Sequence, residues 1–148
     1  MLLGLVMIKD VIITSLDVID TLGGNVMHGI KCSSEGYAGF GEAYFSQIDE
    51  GAVKGWKRHK EMTLNLIVPM GEVRFVLFDE RDSSNVQFQE VVISKNNLCR
   101  LTVPPMIWMG FQSLSTGGSM LLNIANIEHD INEVDKKNIE EFEFNWND

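Results

Sequence analysis

The chain is built from short apolar or alternating runs, each bounded by turn-forming residues, and that rhythm excludes most folds. The runs are "DVIITSL", "YAGFGEAYFS", "MTLNLIVPM", "EVRFVLFDER", "FQEVVIS", "LCRLTVPP", "IWMGFQSLS" and "SMLLNIANI". They are rich in Val, Ile and Phe, which suit a pleated, half-buried surface. Between them lie "LGGN", "PMG", "RDSSN", "SKNN", "VPP" and "STGG", the residues that tight turns require. Strands recurring at about ten-residue spacing indicate an all-β sandwich or barrel.

Two details refine this. Gly71 stands between two strand-like runs, where a tight hairpin needs positive φ. Pro104 and Pro105 fall at a strand end, where no ladder donor is lost. A jelly-roll barrel satisfies both and leaves an internal cavity. The tail "EHDINEVDKKNIEEFEFNWND" has room for a helical turn, and Phe142, Phe144 and Trp146 alternate like a last strand. Its acidic part reads as a solvated face.

With 148 residues the chain is expected to form one domain over residues 1–148. No apolar run reaches the roughly 18 to 20 residues of a membrane span. The opening "MLLGLVMIKD" lacks a basic leader, so no signal peptide is expected, and either Met1 or Met7 can be the natural start. Cys32 and Cys99 have no metal-type spacing and read as reduced thiols of a cytoplasmic protein.

The net charge of −9 argues against nucleic acid or an anionic membrane as partner, because both require a broad basic face. Against that background "VKGWKRHKEM", Val53 to Met62, gathers four of the twelve Lys and Arg residues beside a histidine and a tryptophan. The cluster reads as a pocket for a small anion. Lys57 and His59 are two apart, so in a strand they share a face. Either can be a base. His59 has an imidazole's suitability near neutral pH, and Lys57 has neighbouring positive charge to depress its pKa.

The order "GFGEAYFS … VKGWKRH … GEVRFVLFDER … FQEVVIS … LTVPPMIWMGF … FNWND" resembles the dTDP-4-dehydrorhamnose 3,5-epimerase family, with its "GFFxE", "RGLH" and "PPGFAHGF" segments. The resemblance implies a cupin-type jelly-roll barrel and a nucleotide-sugar substrate. It implies proton abstraction next to a ketone, and homodimers paired through an edge strand. It places Lys54 on the family's arginine, where it would meet the pyrophosphate, and Lys57 on its catalytic histidine. The catalytic tyrosine falls on Leu122. Glu42 matches the glutamate facing the nucleotide, and Asn65 lies near the position of a partner lysine.

Further substrate-binding residues are expected at Trp56 and Trp108, as aromatic walls of a ligand slot, and at Asn123 and Asn126, as amides facing a wet cavity. Asn65 or Asn123 would offer hydrogen bonds to a developing enolate. Many cupins hold a metal, but here the histidine set is reduced to "KRH" and Met109 takes a later ligand position, so neither metal nor cofactor is expected. The expected activity is epimerisation of a nucleoside-diphosphate 4-keto-6-deoxy sugar for a surface polysaccharide. A non-catalytic sugar-nucleotide-binding protein and a keto-sugar isomerase are the alternatives.

Overall fold

The structure, a computed structural model, describes residues 6–148; Met1, one of the two candidate starts, lies outside them. The strands are β1 (Ile12–Ser15), β2 (Val18–Thr21), β3 (Gly24–Met27), β4 (Glu42–Ile48), β5 (Val53–His59) and β6 (Leu64–Met70). They continue with β7 (Val73–Asp79), β8 (Gln87–Ile93), β9 (Cys99–Val103), β10 (Trp108–Ser113), β11 (Ser119–Ala125) and β12 (Val134–Lys136). Among the described residues no helix is long and apolar enough to cross a membrane.

Two five-stranded antiparallel sheets, ordered β1-β9-β6-β11-β4 and β12-β5-β10-β7-β8, form the jelly roll. Their facing sides share one core. Leu66, Leu101 and Leu121 come from the first sheet, and Val73, Phe75 and Leu77 from the second. Gly71 turns the β6–β7 hairpin at φ +85°, and a Cβ there would come within 2.5 Å of Ser119 Oγ. The sequence expectation for that glycine holds, as does the placement of Pro104 and Pro105 just past β9.

The second sheet is buried on both faces, which is why "VRFVLFD" reads as an almost unbroken apolar run. Behind it lies a second cluster of Trp56, Val76, Phe78 and Trp108, covered by Ile139, Phe142, Phe144 and Trp146. Trp56 Nε1 donates to the Ile139 carbonyl at 3.0 Å, fixing the tail to β5. The tail forms 3-10 turns at Ile131–Glu133 and Ile139–Glu141. Phe142 to Trp146 do not form the last strand that their alternation suggested. They are a strap, and aromatic packing holds them: Phe142 lies edge-on to Trp56 at 5.2 Å.

Cys32 is exposed and Cys99 buried, and neither is in a disulfide. The β2–β3 hairpin pairs with neither large sheet and exposes Val18, Ile19, Leu22 and Val26.

Candidate active site in the barrel

A cavity of about 220 Å³ opens between the two sheets. One wall is β5. Met109 and Phe111 of β10, two apart, pair with Lys57 and Lys54, three apart, so β5 carries a bulge between its two lysines. The extra residue shifts the phase of the strand. Lys54, Lys57 and His59 all border the cavity, while Trp56 turns outward.

This corrects two expectations. Trp56 and Trp108 are not walls of a ligand slot: both are buried under the C-terminal strap on the far side of the sheet. Trp108 Nε1 donates to Glu80 Oε1 at 3.0 Å, and the Arg58 guanidinium lies 4.6 Å from its ring centroid.

Opposite the lysines, β11 and the edge strand β4 form the other wall. Asn123 pairs in register with Tyr44, and its Nδ2 donates to the Tyr44 hydroxyl at 2.8 Å. The phenolic oxygen accepts that bond, which leaves its own O–H to point at a cavity occupant. Asn123 Oδ1 is buried with no partner, an orphan that a ligand can satisfy. Glu42 begins β4 on the same face as Tyr44, also with an unpartnered buried carboxylate oxygen, although it does not border the cavity.

Leu122, where the resemblance put the catalytic tyrosine, points away from the cavity and lies opposite Phe45. The phenol that borders the cavity is that of Tyr44, on the neighbouring strand.

Two more asparagines are displaced from the site. Asn65 lies between Leu64 and Leu66, which face the cavity, so it points to the opposite side of the sheet. There its Oδ1 accepts from Arg100 Nε and Thr102 Oγ1, and its Nδ2 donates to the Gly36 carbonyl. Asn126 Oδ1 accepts from the Thr63 backbone N–H at 2.8 Å and braces the start of β6. Both are structural amides.

His59 has a partner that the sequence did not indicate. Its Nδ1 lies 2.6 Å from Oε1 of Glu133, and Glu133 Oε2 accepts the backbone N–H groups of Glu61 and Met62 at 2.9 and 2.8 Å. Glu133 is buried, not part of a solvated acidic face. Burial alone would raise its carboxyl pKa. The hydrogen bonds from His59, Glu61 and Met62 outweigh burial and hold it below the ordinary carboxylate range. An ionised carboxylate on Nδ1 orients the ring and leaves Nε2 as the nitrogen for proton transfer.

Lys57 is pushed below the ordinary lysine range, first by burial and then by the charges of Lys136 and Lys54. His129, which sequence reasoning also passed over, borders the cavity from the loop after β11. Among the described residues no three His, Cys, Asp or Glu side chains cluster in a way that could hold a metal ion.

Comparison with known proteins agrees with this architecture. Over 100 residues the chain is 27% identical to the probable low-salt glycan biosynthesis epimerase Agl13 of Haloferax volcanii, a match spanning 66% of this chain and 64% of that protein. The crystal structure of a dTDP sugar isomerase from Desulfovibrio desulfuricans G20 superposes with a TM-score of 0.88 at 29% identity, covering 93% of this chain and 91% of the other. A dTDP-4-dehydrorhamnose 3,5-epimerase from Elizabethkingia anophelis NUHP1 shares the fold, with a TM-score of 0.77 at 17% identity over 94% of this chain and 82% of its own. The FdtA family model, described as WxcM-like, C-terminal, matches residues 42–144, well over half of the chain. The protein therefore belongs to the FdtA family of cupin-fold domains.

Proposed function

We propose that the protein is an epimerase or isomerase that moves a proton next to the ketone of a nucleoside-diphosphate 4-keto-6-deoxy sugar, in the assembly of a surface glycan. The observation that carries this reading is the His59–Glu133 pair on one wall of a sugar-sized cavity, with the Tyr44 hydroxyl held by Asn123 on the other. His59 Nε2 removes the proton from the carbon beside the carbonyl. The developing enolate charge is met by ammonium and phenol donors around the cavity. Tyr44 returns a proton from the opposite side.

At about 220 Å³ the cavity falls below the roughly 300–1,000 Å³ of sites that enclose a drug-sized ligand. The sugar alone enters, and the nucleotide stays at the rim. Lys54 borders that rim, in keeping with an anion-binding role.

A keto-sugar isomerase is the second chemical reading. It uses the same base, and the similarity to a dTDP sugar isomerase favours it. A non-catalytic binding protein is the third, because the resemblance to the dTDP-4-dehydrorhamnose 3,5-epimerases sets Lys57 against their catalytic histidine.

We further propose a homodimer in the cytoplasm. The edge strand β4 exposes Phe45, and the β2–β3 hairpin exposes Val18, Ile19, Leu22 and Val26, so both present apolar surface suited to a second copy. The two free thiols suit a reducing compartment.

The deciding experiment incubates the purified protein in D2O with dTDP-, GDP- and UDP-4-keto-6-deoxy sugars and follows mass and product identity. Deuterium uptake that disappears with His59→Asn is the expected result. An inverted centre marks the epimerase and a moved carbonyl marks the isomerase. Tight binding with no exchange would replace both by the binding protein.

A further inference from the structure

The β5–β12 register sets Lys136 directly opposite Lys57. Like charges directly opposite each other on a sheet repel, so a pair of lysines in register is a local cost to the fold. The bulge in β5 brings Lys54 to the same side, and all three residues border the cavity. Two nearby cations, Arg58 and Lys60, behave differently, while Lys137 lies against the Trp108 and Phe142 rings. Arg58 reaches Asp135 at 2.8 Å and Glu80 at 3.4 Å, and Lys60 reaches Asp135 at 3.6 Å. Among the described residues Lys54, Lys57 and Lys136 have no carboxylate within salt-bridge distance, in a chain with 21 acidic residues.

The lysines also stand at a junction. Gly55, Lys57 and Lys136 border both the cavity and an adjoining hollow of about 310 Å³, which Lys137, Asn138 and Glu141 complete. At Gly55 a Cβ would come within 2.8 Å of Ile139 Cδ1, so a side chain there would collide with the C-terminal strap.

We propose that Lys57 and Lys136, assisted by Lys54, clamp the diphosphate of the substrate at this junction, with the sugar in the cavity and the nucleoside in the hollow beside Lys137 and Asn138. The proposal rests on the nucleotide-sugar reading given above. It gives Lys57 an anion-binding role and leaves proton abstraction to His59. It also assigns a function to Lys136, which lies in no recognisable motif. A diphosphate carries negative charge on several non-bridging oxygens, and two ammonium groups facing across a strand pair can meet it from both sides. The bound anion would turn the repulsion between them into attraction to a shared partner.

The test titrates inorganic pyrophosphate and dTDP into the full-length chain by calorimetry, comparing wild type with Lys57→Gln, Lys136→Gln and the distant surface variant Lys95→Gln. Loss of one charge-assisted contact is expected to weaken pyrophosphate binding about tenfold or more in each of the first two, with Lys95→Gln unchanged. Without anion, Lys136→Gln should melt at or above the wild-type temperature, because it relieves a like-charge pair; this separates lost binding from lost folding. Wild-type affinity in Lys136→Gln, or no pyrophosphate binding by the wild type, would overturn the clamp. So would a Lys57→Gln variant that binds pyrophosphate normally but no longer exchanges deuterium, since Lys57 would then be the base. Weakened binding in both variants with no exchange by the wild type would sustain the clamp and remove the proposed reaction instead.

Discussion

His59 Nδ1 and Glu133 Oε1 are 2.6 Å apart, and the other Glu133 oxygen is held by two backbone N–H groups of the β5–β6 turn. One buried carboxylate thus orients the imidazole and fastens the segment before β12 to the barrel. The two jobs can be separated by substitution. His59→Asn should lower deuterium exchange by about 10²-fold or more, the ordinary scale of general-base catalysis, and should lower the urea midpoint less than Glu133→Gln, because it removes one of the three donors to that carboxylate. Glu133→Gln should lower exchange less, and should cost about 1–3 kcal/mol in urea unfolding because the donors it serves lose a charged acceptor.

The same carboxylate makes stability depend on pH. Burial opposes ionisation of Glu133, but the hydrogen bonds from His59, Glu61 and Met62 prevail, so its folded pKa lies below the unfolded value. A depressed carboxyl pKa contributes stability that is present above the unfolded pKa and lost as pH falls through the folded one. The difference in unfolding free energy between wild type and Glu133→Gln should therefore be full near neutrality and shrink below about pH 4. A pH series of urea melts measures it.

Tyr44 and Asn123 should separate proton return from proton removal. Tyr44→Phe keeps the ring and removes the hydroxyl that accepts from Asn123 Nδ2. Deuterium should still enter the substrate through His59, while formation of inverted product falls by about 10²-fold. Nuclear magnetic resonance of the reaction in D2O reads both quantities together. Equal loss of both would make Tyr44 a binding group.

The tryptophans should behave as core residues and not as ligand contacts. Trp56 is fully buried between β5 and the strap, and Trp56→Ala should cost about 3–5 kcal/mol by thermal or urea melting. At a temperature where the variant is still folded, its pyrophosphate affinity should match the wild type.

Much of the fold was legible in order along the chain. The alternating runs became strands, Gly71 took the positive φ of a hairpin, and Pro104 and Pro105 ended β9. Strand period also placed Lys57 and His59 on one face, and both border the cavity. It would equally have placed Tyr44 beside Glu42, two residues away in "EAYFS", had that run been read for its faces. Applied to Trp56, one residue from Lys57, the same period already turns the ring to the opposite face; the bulge is what brings Lys54 round to the cavity side, and a bulge leaves no mark in the hydrophobic pattern. Trp108 was misplaced because its sheet is buried on both sides, so burial does not say which side holds the ligand.

By itself the sequence determined which segments are strands, where they turn, and that positive charge gathers on β5, because these depend on residues close together in the chain. Tertiary structure alone decided the partners across the cavity. Glu133 reaches His59 from 74 residues away, and Lys136 faces Lys57 only through the register of β12 on β5. Both come from a tail whose composition reads as solvated. Long-range pairing is fixed by how the sheets close and what the strap buries, and local pattern carries no record of either.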